Sequence, residues 1–156
     1  MPTIEEAASE FLSHKRIAVT GVSRNPKDHG SNAVFKRLRD RGYEVFAVNP
    51  NADEVEGTHS YRDLKSIPGG VGAVVIATAP DKAEDTMREC AELGIKYAWM
   101  HRLFGQGSVS VTAAAYGRDH GITVIEGGCP LMFDPTADIG HKLMRRICGR
   151  NIPKTV

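Results

Sequence analysis

The segment best suited to chemistry in this 156-residue chain is Gly21-Val22-Ser23-Arg24-Asn25-Pro26-Lys27-Asp28-His29-Gly30. Its glycines allow sharp turns and let a phosphate approach the backbone closely. Ser31 or Asn32 can cap a following helix, whose free N–H groups and positive dipole end would point into the same space. Arg24 and Lys27 add positive charge. The segment reads as a cradle for a pyrophosphate, against the plainer reading of a surface loop with incidental basic residues. Gly21 is expected to need close backbone approach or a conformation open only to glycine.

The loop departs from the dinucleotide fingerprint. G-x-G-x-x-G needs a glycine two residues after Gly21, where Ser23 stands. Domains that bind NAD also place an acidic residue at the end of the second strand, on the ribose hydroxyls. Here that position reads Val48-Asn49-Pro50. A neutral amide removes the charge that would repel a phosphorylated ribose. Coenzyme A (CoA) carries a 3′-phosphate on its ribose and suits this change, but NADP tolerates it too, so both stay open at this point.

Other chemically capable residues have a plain packing or surface reading beside the functional one. Cys129, in Gly127-Gly128-Cys129-Pro130, falls where a ligand thiol could meet it, yet a free cysteine usually behaves as a small buried hydrophobe. His101, beside Arg102, could touch a phosphate or act as an acid or base, but has no identifiable partner. Asp138 with His141 reads as helix-surface decoration, Trp99 as core, and the basic run at Lys142, Arg145 and Arg146 as a solvated face. There is no nucleophile elbow, no Walker lysine and no pair of carboxylates in one loop. A binding module is therefore favoured over an enzyme. The alternatives are an NADP-dependent oxidoreductase or redox-sensing domain, and a subunit that docks on an acyl-CoA enzyme.

Positioning these residues requires a scaffold, and the pattern supplies one. A lead-in helix spans Thr3 to Ser13, with Thr3 and Glu6 as a capping box. Short apolar runs at Arg16–Thr20, Tyr43–Val48, Ala73–Thr78, Tyr97–Met100 and Ile122–Ile125 read as strands. The third is continuously apolar, as strands covered on both faces are. Helices fall between them: one carrying Val34, Phe35 and Leu38, one opened by Pro80, one over Val109–His120, and a last one around Ile139–Ile147. Asn49 to Pro68 reads as a long loop. Alternating strands and helices predict a doubly wound parallel five-stranded sheet in a three-layer α/β/α, Rossmann-like fold, with strand order 3-2-1-4-5 expected. Such sheets bind ligands at their carboxyl edge.

Length fits one domain over 1–156. The formal net charge of +1 offers no general attraction for nucleic acid or an anionic membrane. No apolar run is long enough to span a bilayer. Three scattered cysteines, Cys90, Cys129 and Cys148, fit a reducing cytoplasmic setting and no metal pattern. A homodimer is compatible with the sequence but not dictated by it.

The motif set resembles the CoA-binding domain family. Gly-Val-Ser with Pro26 and Gly30 follows the first strand, Val-Asn-Pro the second, Ala77-Thr78-Ala79-Pro80 the third, and Cys-Pro the fifth. This is the nucleotide-binding domain of the succinyl-CoA synthetase α-subunit, also found as small free-standing proteins, and the likeness runs from about Arg16 to Pro130. It implies a Rossmann-like fold and coenzyme A or an acyl-CoA as ligand. Gly21, Val22, Ser23 and Pro26 would line the phosphates, Asn49 and Pro50 would border the adenosine end, and Ala79 and Pro80 would pack against the CoA body. The synthetase carries a lysine shortly after the second-strand proline, where Asn51 and Ala52 stand here. Arg24 or Lys27 would then have to meet the 3′-phosphate. The synthetase's phosphorylated histidine lies in a further domain, so its ligase reaction is not expected of this chain.

Overall fold

The computed structural model describes residues 2–25, 30–103, 105–147, 149, 152 and 156. Pro26, Lys27, His29 and Cys148 therefore lie outside the described residues. The elements are α1 (Ile4–Ser13), β1 (Arg16–Thr20), α2 (Gly30–Asp40), β2 (Glu44–Val48), β3 (Glu54–Val55), β4 (Thr58–Tyr61), β5 (Ala73–Ile76), α3 (Pro80–Glu92), β6 (Tyr97–Met100), α4 (Val111–Asp119), β7 (Thr123–Glu126) and α5 (Ile139–Ile147). A short 3-10 turn spans Pro130–Met132.

Local chemistry sets the helix starts. The capping box of α1 forms as expected: Glu6 N donates to Thr3 Oγ1 and Thr3 N to the Glu6 carboxylate. Pro80 occupies the first turn of α3, where a missing N–H costs nothing. Ser110 caps α4 by accepting from Ala113 N at 3.1 Å. None of the described helices is long and apolar enough to cross a membrane.

The fold is the expected Rossmann-like α/β architecture, with two further strands. Seven strands form one sheet in the order β3-β4-β2-β1-β5-β6-β7, all pairs parallel except β3 with β4. The segment expected to be a loop from Asn49 to Pro68 holds the β3–β4 hairpin. The order predicted for the five expected strands changes accordingly. The Ala73 strand does not sit beyond the second strand; it pairs directly with β1, and β4 takes the outer place instead.

Alternation along the strands sorts side chains into two cores. Ile17, Val19, Val75, Trp99 and Ile125 face one side, packing with α1, α2 and the 130–132 turn. Ala18, Val74, Ile76, Ala98 and Val124 face the other, beneath α3 and α4. Trp99 is fully buried, edge-on to Phe11 at 5.3 Å, with its indole N–H on Gly127 O at 2.9 Å. This clamps the carboxyl ends of β6 and β7 together. The chain reverses direction across the sheet between β1 and β5, which places the ligand crevice of such a sheet at their carboxyl ends.

Candidate functional site

At that reversal point Gly21 leaves β1 with φ +76°, a left-handed conformation that favours glycine. A Cβ built there would lie 2.6 Å from Ala77 O and 3.0 Å from Ala77 C. The turn after β1 therefore runs directly against the turn after β5. Thr20 Oγ1 ties the same two ends by accepting from Ala77 N at 3.1 Å.

Two side chains expected to cap α2 do something else. The helix begins at Gly30, and Ser31 and Asn32 both turn toward the Gly21 loop. Ser31 Oγ donates to Gly21 O at 2.8 Å. The Asn32 amide brackets Ser23: its oxygen accepts from Ser23 N and its nitrogen donates to Ser23 O, both at 2.8 Å. That nitrogen also donates to Glu56 Oε1 at 2.8 Å, joining the loop to the β3–β4 turn. A buried amide thus holds the loop in shape, a role that helix-start statistics hid.

The cleft on this edge has two parts that meet at Thr78. One cavity, of about 340 Å³, lies by β2 and is lined by Gly21, Asn49, Pro50, Asn51, Arg62 and Lys82 among others. The second, of about 580 Å³, lies by β6 and is lined by Gly30, Ser31, Ala79, His101 and Ser108 among others. Both volumes fall in the range of small-molecule sites. Asn49 is locked in place, donating from Nδ2 to Val22 O at 3.0 Å and accepting from Asn51 N at 2.9 Å.

Gly21, Asn49, Pro50, Thr78, Ala79 and His101 are thus brought together along one edge. Ser23 lies beside them, its hydroxyl accepting from Asn25 N at 3.0 Å. Arg24 is exposed and lines neither cavity. The Val22 side chain is fully buried in the core, so only main-chain contacts to a ligand remain open to it. Pro80 serves as the first residue of α3. Cys129 is 1% exposed, packed in the same core as Trp99 and Leu131, and burial pushes its thiol up to about 12. It takes the packing role rather than facing the cleft. Asp138 caps α5, accepting from His141 N at 2.8 Å and from the imidazole Nδ1 at 2.9 Å.

Among the described residues, Thr78 Oγ1 and His101 Nε2 in the cleft walls are buried without a hydrogen-bond partner. Such groups carry a free-energy cost unless something satisfies them. Burial, helped by the nearby His141, lowers the His101 pKa to about 4. His101 is therefore neutral at physiological pH. Because its folded pKa lies below the unfolded value, the unfolded chain takes up the proton first as pH falls. Stability should accordingly drop on acidification from pH 7 to pH 5, by on the order of 1–2 kcal/mol from this group. Urea titrations at the two pH values check this. His101→Asn should remove most of the difference, and an unchanged difference in that variant would assign it elsewhere.

An open parallel sheet with a glycine turn at its reversal point, flanked by two cavities on the carboxyl edge, defines the Rossmann-like class. Within that class the chain belongs to the CoA binding domain family, whose sequence profile matches residues 15–135. It is 34% identical over 142 residues to the acetate–CoA ligase [ADP-forming] II subunit alpha of Pyrococcus furiosus, covering 90% of this chain and 27% of that subunit. It thus spans about a quarter of the ligase subunit's length. It is also 34% identical over 128 residues to the uncharacterized protein YneT of Bacillus subtilis, covering 82% of this chain and 91% of that protein. A hypothetical protein from Pyrococcus horikoshii superposes with a TM-score of 0.75 at 22% identity, covering 95% of this chain and 96% of that one, which shows a shared fold.

The cleft fits the ligand that the family name implies. The Gly21 turn leaves no room for a side chain beside Ala77, the amino end of α2 opens nearby, and Thr78 and His101 offer unsatisfied polar atoms. A long, polyanionic, amide-rich molecule can use the helix end and the two polar atoms.

Proposed function

We propose that the chain, over residues 1–156, works as one unit that binds coenzyme A or an acyl-CoA along the carboxyl edge of the sheet. The observation that carries this reading is the Gly21 turn, pressed against Ala77 between two cavities at the reversal point. In this reading the pyrophosphate lies over Gly21 and the Ser23 backbone, near the amino end of α2, where N–H groups and the helix dipole favour an anion. Arg24 follows Ser23 in that loop and is exposed. The adenosine end lies by Asn49 and Pro50. The pantetheine arm passes Thr78, Ala79 and Pro80 toward His101, whose neutral imidazole and the Thr78 hydroxyl meet its amides.

Binding without chemistry is favoured by the surroundings of His101, the one imidazole lining the cleft among the described residues. His101 is held neutral, and no carboxylate among the described residues is bonded to it. A hydrolytic or transfer step would need a positioned base and nucleophile.

Amide hydrogen exchange with and without ligand tests the assignment. CoA should slow exchange at residues 21–24, 49–51 and 77–80, while NAD at the same concentration should change none of them. Protection confined to the opposite, amino edge of the sheet, or equal protection by NAD, would contradict it.

A further inference from the structure

The end of β2 is where folds of this class meet the ligand's ribose. In this chain that segment brings no cation: Asn49 is neutral, and Asn51 and Ala52 follow Pro50. The cavity beside it nonetheless holds two, Arg62 and Lys82. Backbone register puts Arg62 there. β4 runs parallel to β2 with Tyr61 opposite Val48, and Asn49 N donates to Tyr61 O at 2.9 Å. Arg62 is the next residue, level with Asn49 at the same edge. Lys82 arrives from the other flank, in the first turn of α3 after β5. The two cations therefore enter one cavity from elements on either side of the β2–β1 pair.

Arg62 acts electrostatically on neighbouring Asp63, but among the described residues neither cation sits in a close ion pair. Asp63 instead accepts from Ser66 N at 2.9 Å and from the Ser66 hydroxyl. The Glu89 carboxylate accepts from Leu64 N at 3.1 Å and Lys65 N at 3.2 Å. Asp85 lines the same cavity and is exposed on α3, where solvent screens it. Two acids are thus turned toward donors of the 63–66 turn; they keep their charge, and the guanidinium and ammonium groups are the cationic donors lining the cavity beside the ribose position. A guanidinium offers paired donors to phosphate oxygens and an ammonium a compact point charge, a combination suited to a terminal monoester.

We propose that Arg62 and Lys82 anchor the ribose 3′-phosphate of CoA, replacing a cation that the β2 loop lacks, and so set the preference for CoA over ligands without that phosphate. Arg24, which is exposed and lines neither cavity, is not given this role. The inference rests on the CoA reading above but names residues which that reading does not need.

Calorimetric titration with CoA and with 3′-dephospho-CoA tests it. The wild-type chain should bind CoA at least about tenfold more tightly than dephospho-CoA. The double variant Arg62→Gln/Lys82→Gln should lose about tenfold in CoA affinity and stay within about twofold for dephospho-CoA, erasing the preference. Arg62→Lys with Lys82→Arg keeps both charges and should retain most of it. Both side chains are exposed, so melting curves of the variants should match the wild type. Adenosine 3′,5′-bisphosphate should compete with CoA better than the 2′,5′ isomer, which separates this site from one for NADP. Equal wild-type affinity for CoA and dephospho-CoA, an equal loss for both ligands in the double variant, or a preference that disappears in Arg24→Gln instead would overturn the inference and leave CoA binding standing. Failure of either ligand to bind the wild-type chain would overturn the CoA reading itself.

Discussion

Replacing Gly21 with valine should both weaken the fold and remove the ligand site. Two separate effects add. Gly21 sits at φ +76°, a region that costs an L-residue about 1–2 kcal/mol and a β-branched one more. The new Cβ would also lie 2.6 Å from Ala77 O, a backbone atom that cannot rotate away. Moving it would pull on the Ala77 N–H bond to Thr20 Oγ1 and on the β1–β5 pairing that frames the crevice. The combined loss should be at least about 3 kcal/mol, or a melting temperature lowered by roughly 6–12 °C. CoA affinity in the fraction that remains folded should fall at least about tenfold. Gly42→Ala is the control. It shares a positive φ of 88°, nothing lies within 4 Å of its Cβ position, and it sits at the amino edge of β2. It should cost about 1–2 kcal/mol and leave affinity unchanged. A Gly21→Val protein with wild-type melting temperature and affinity would show that the turn is neither crowded nor at the ligand.

Asn32 should prove nearly as sensitive, and the isosteric change is the more informative one. Its amide is 1% exposed and makes three hydrogen bonds of 2.8 Å, to Ser23 N, Ser23 O and Glu56 Oε1. Asn32→Ala leaves those partners unsatisfied around a buried position and should cost about 2–3 kcal/mol. Asn32→Asp keeps the shape but replaces two donated bonds with a carboxylate facing a carbonyl and the Glu56 carboxylate. It should destabilise at neutral pH by at least as much, with part of the loss recovered on acidification as the new acid protonates. Both variants should weaken CoA binding about tenfold, because the Ser23 backbone loses its brace. Chemical denaturation with parallel titrations reads both quantities. Wild-type stability in Asn32→Asp would mean that the amide's donors do not matter.

The strands that carry the crevice were legible because both their faces are covered. Ala73-Val74-Val75-Ile76 and Tyr97-Ala98-Trp99-Met100 have few polar positions, and a parallel sheet between helix layers demands that. The β3–β4 hairpin was not legible. Its residues include Glu54, Thr58, His59 and Ser60, its strands have two and four residues, and only Val55 and Ser60 are buried within them. Without the hairpin, the expected order puts the next apolar run in the outer place beside β2, which β4 occupies.

The site divides in the same way. Gly21 was readable because a glycine directly after an apolar strand has a conformational reason to be there. Asn32 was visible only as a helix-start residue, since an amide that caps and an amide that bridges two loops look alike in one dimension. Arg62 and Lys82 carry no local signal; one follows a short, mostly polar strand, and the other lies on a solvated helix turn. Cys129 shows the converse. Its neighbours Gly127 and Gly128 pointed to the ligand edge, while its own apolar character placed it in the core.

The most direct test of the whole account is calorimetric titration of the wild-type chain with CoA and NAD under identical conditions. The Gly21 turn, the neutral Asn49 at the ribose position and the two cavities that meet at Thr78 predict saturable one-to-one binding of CoA and no measurable heat with NAD. Micromolar binding of NAD, with CoA silent at millimolar concentration, would contradict it.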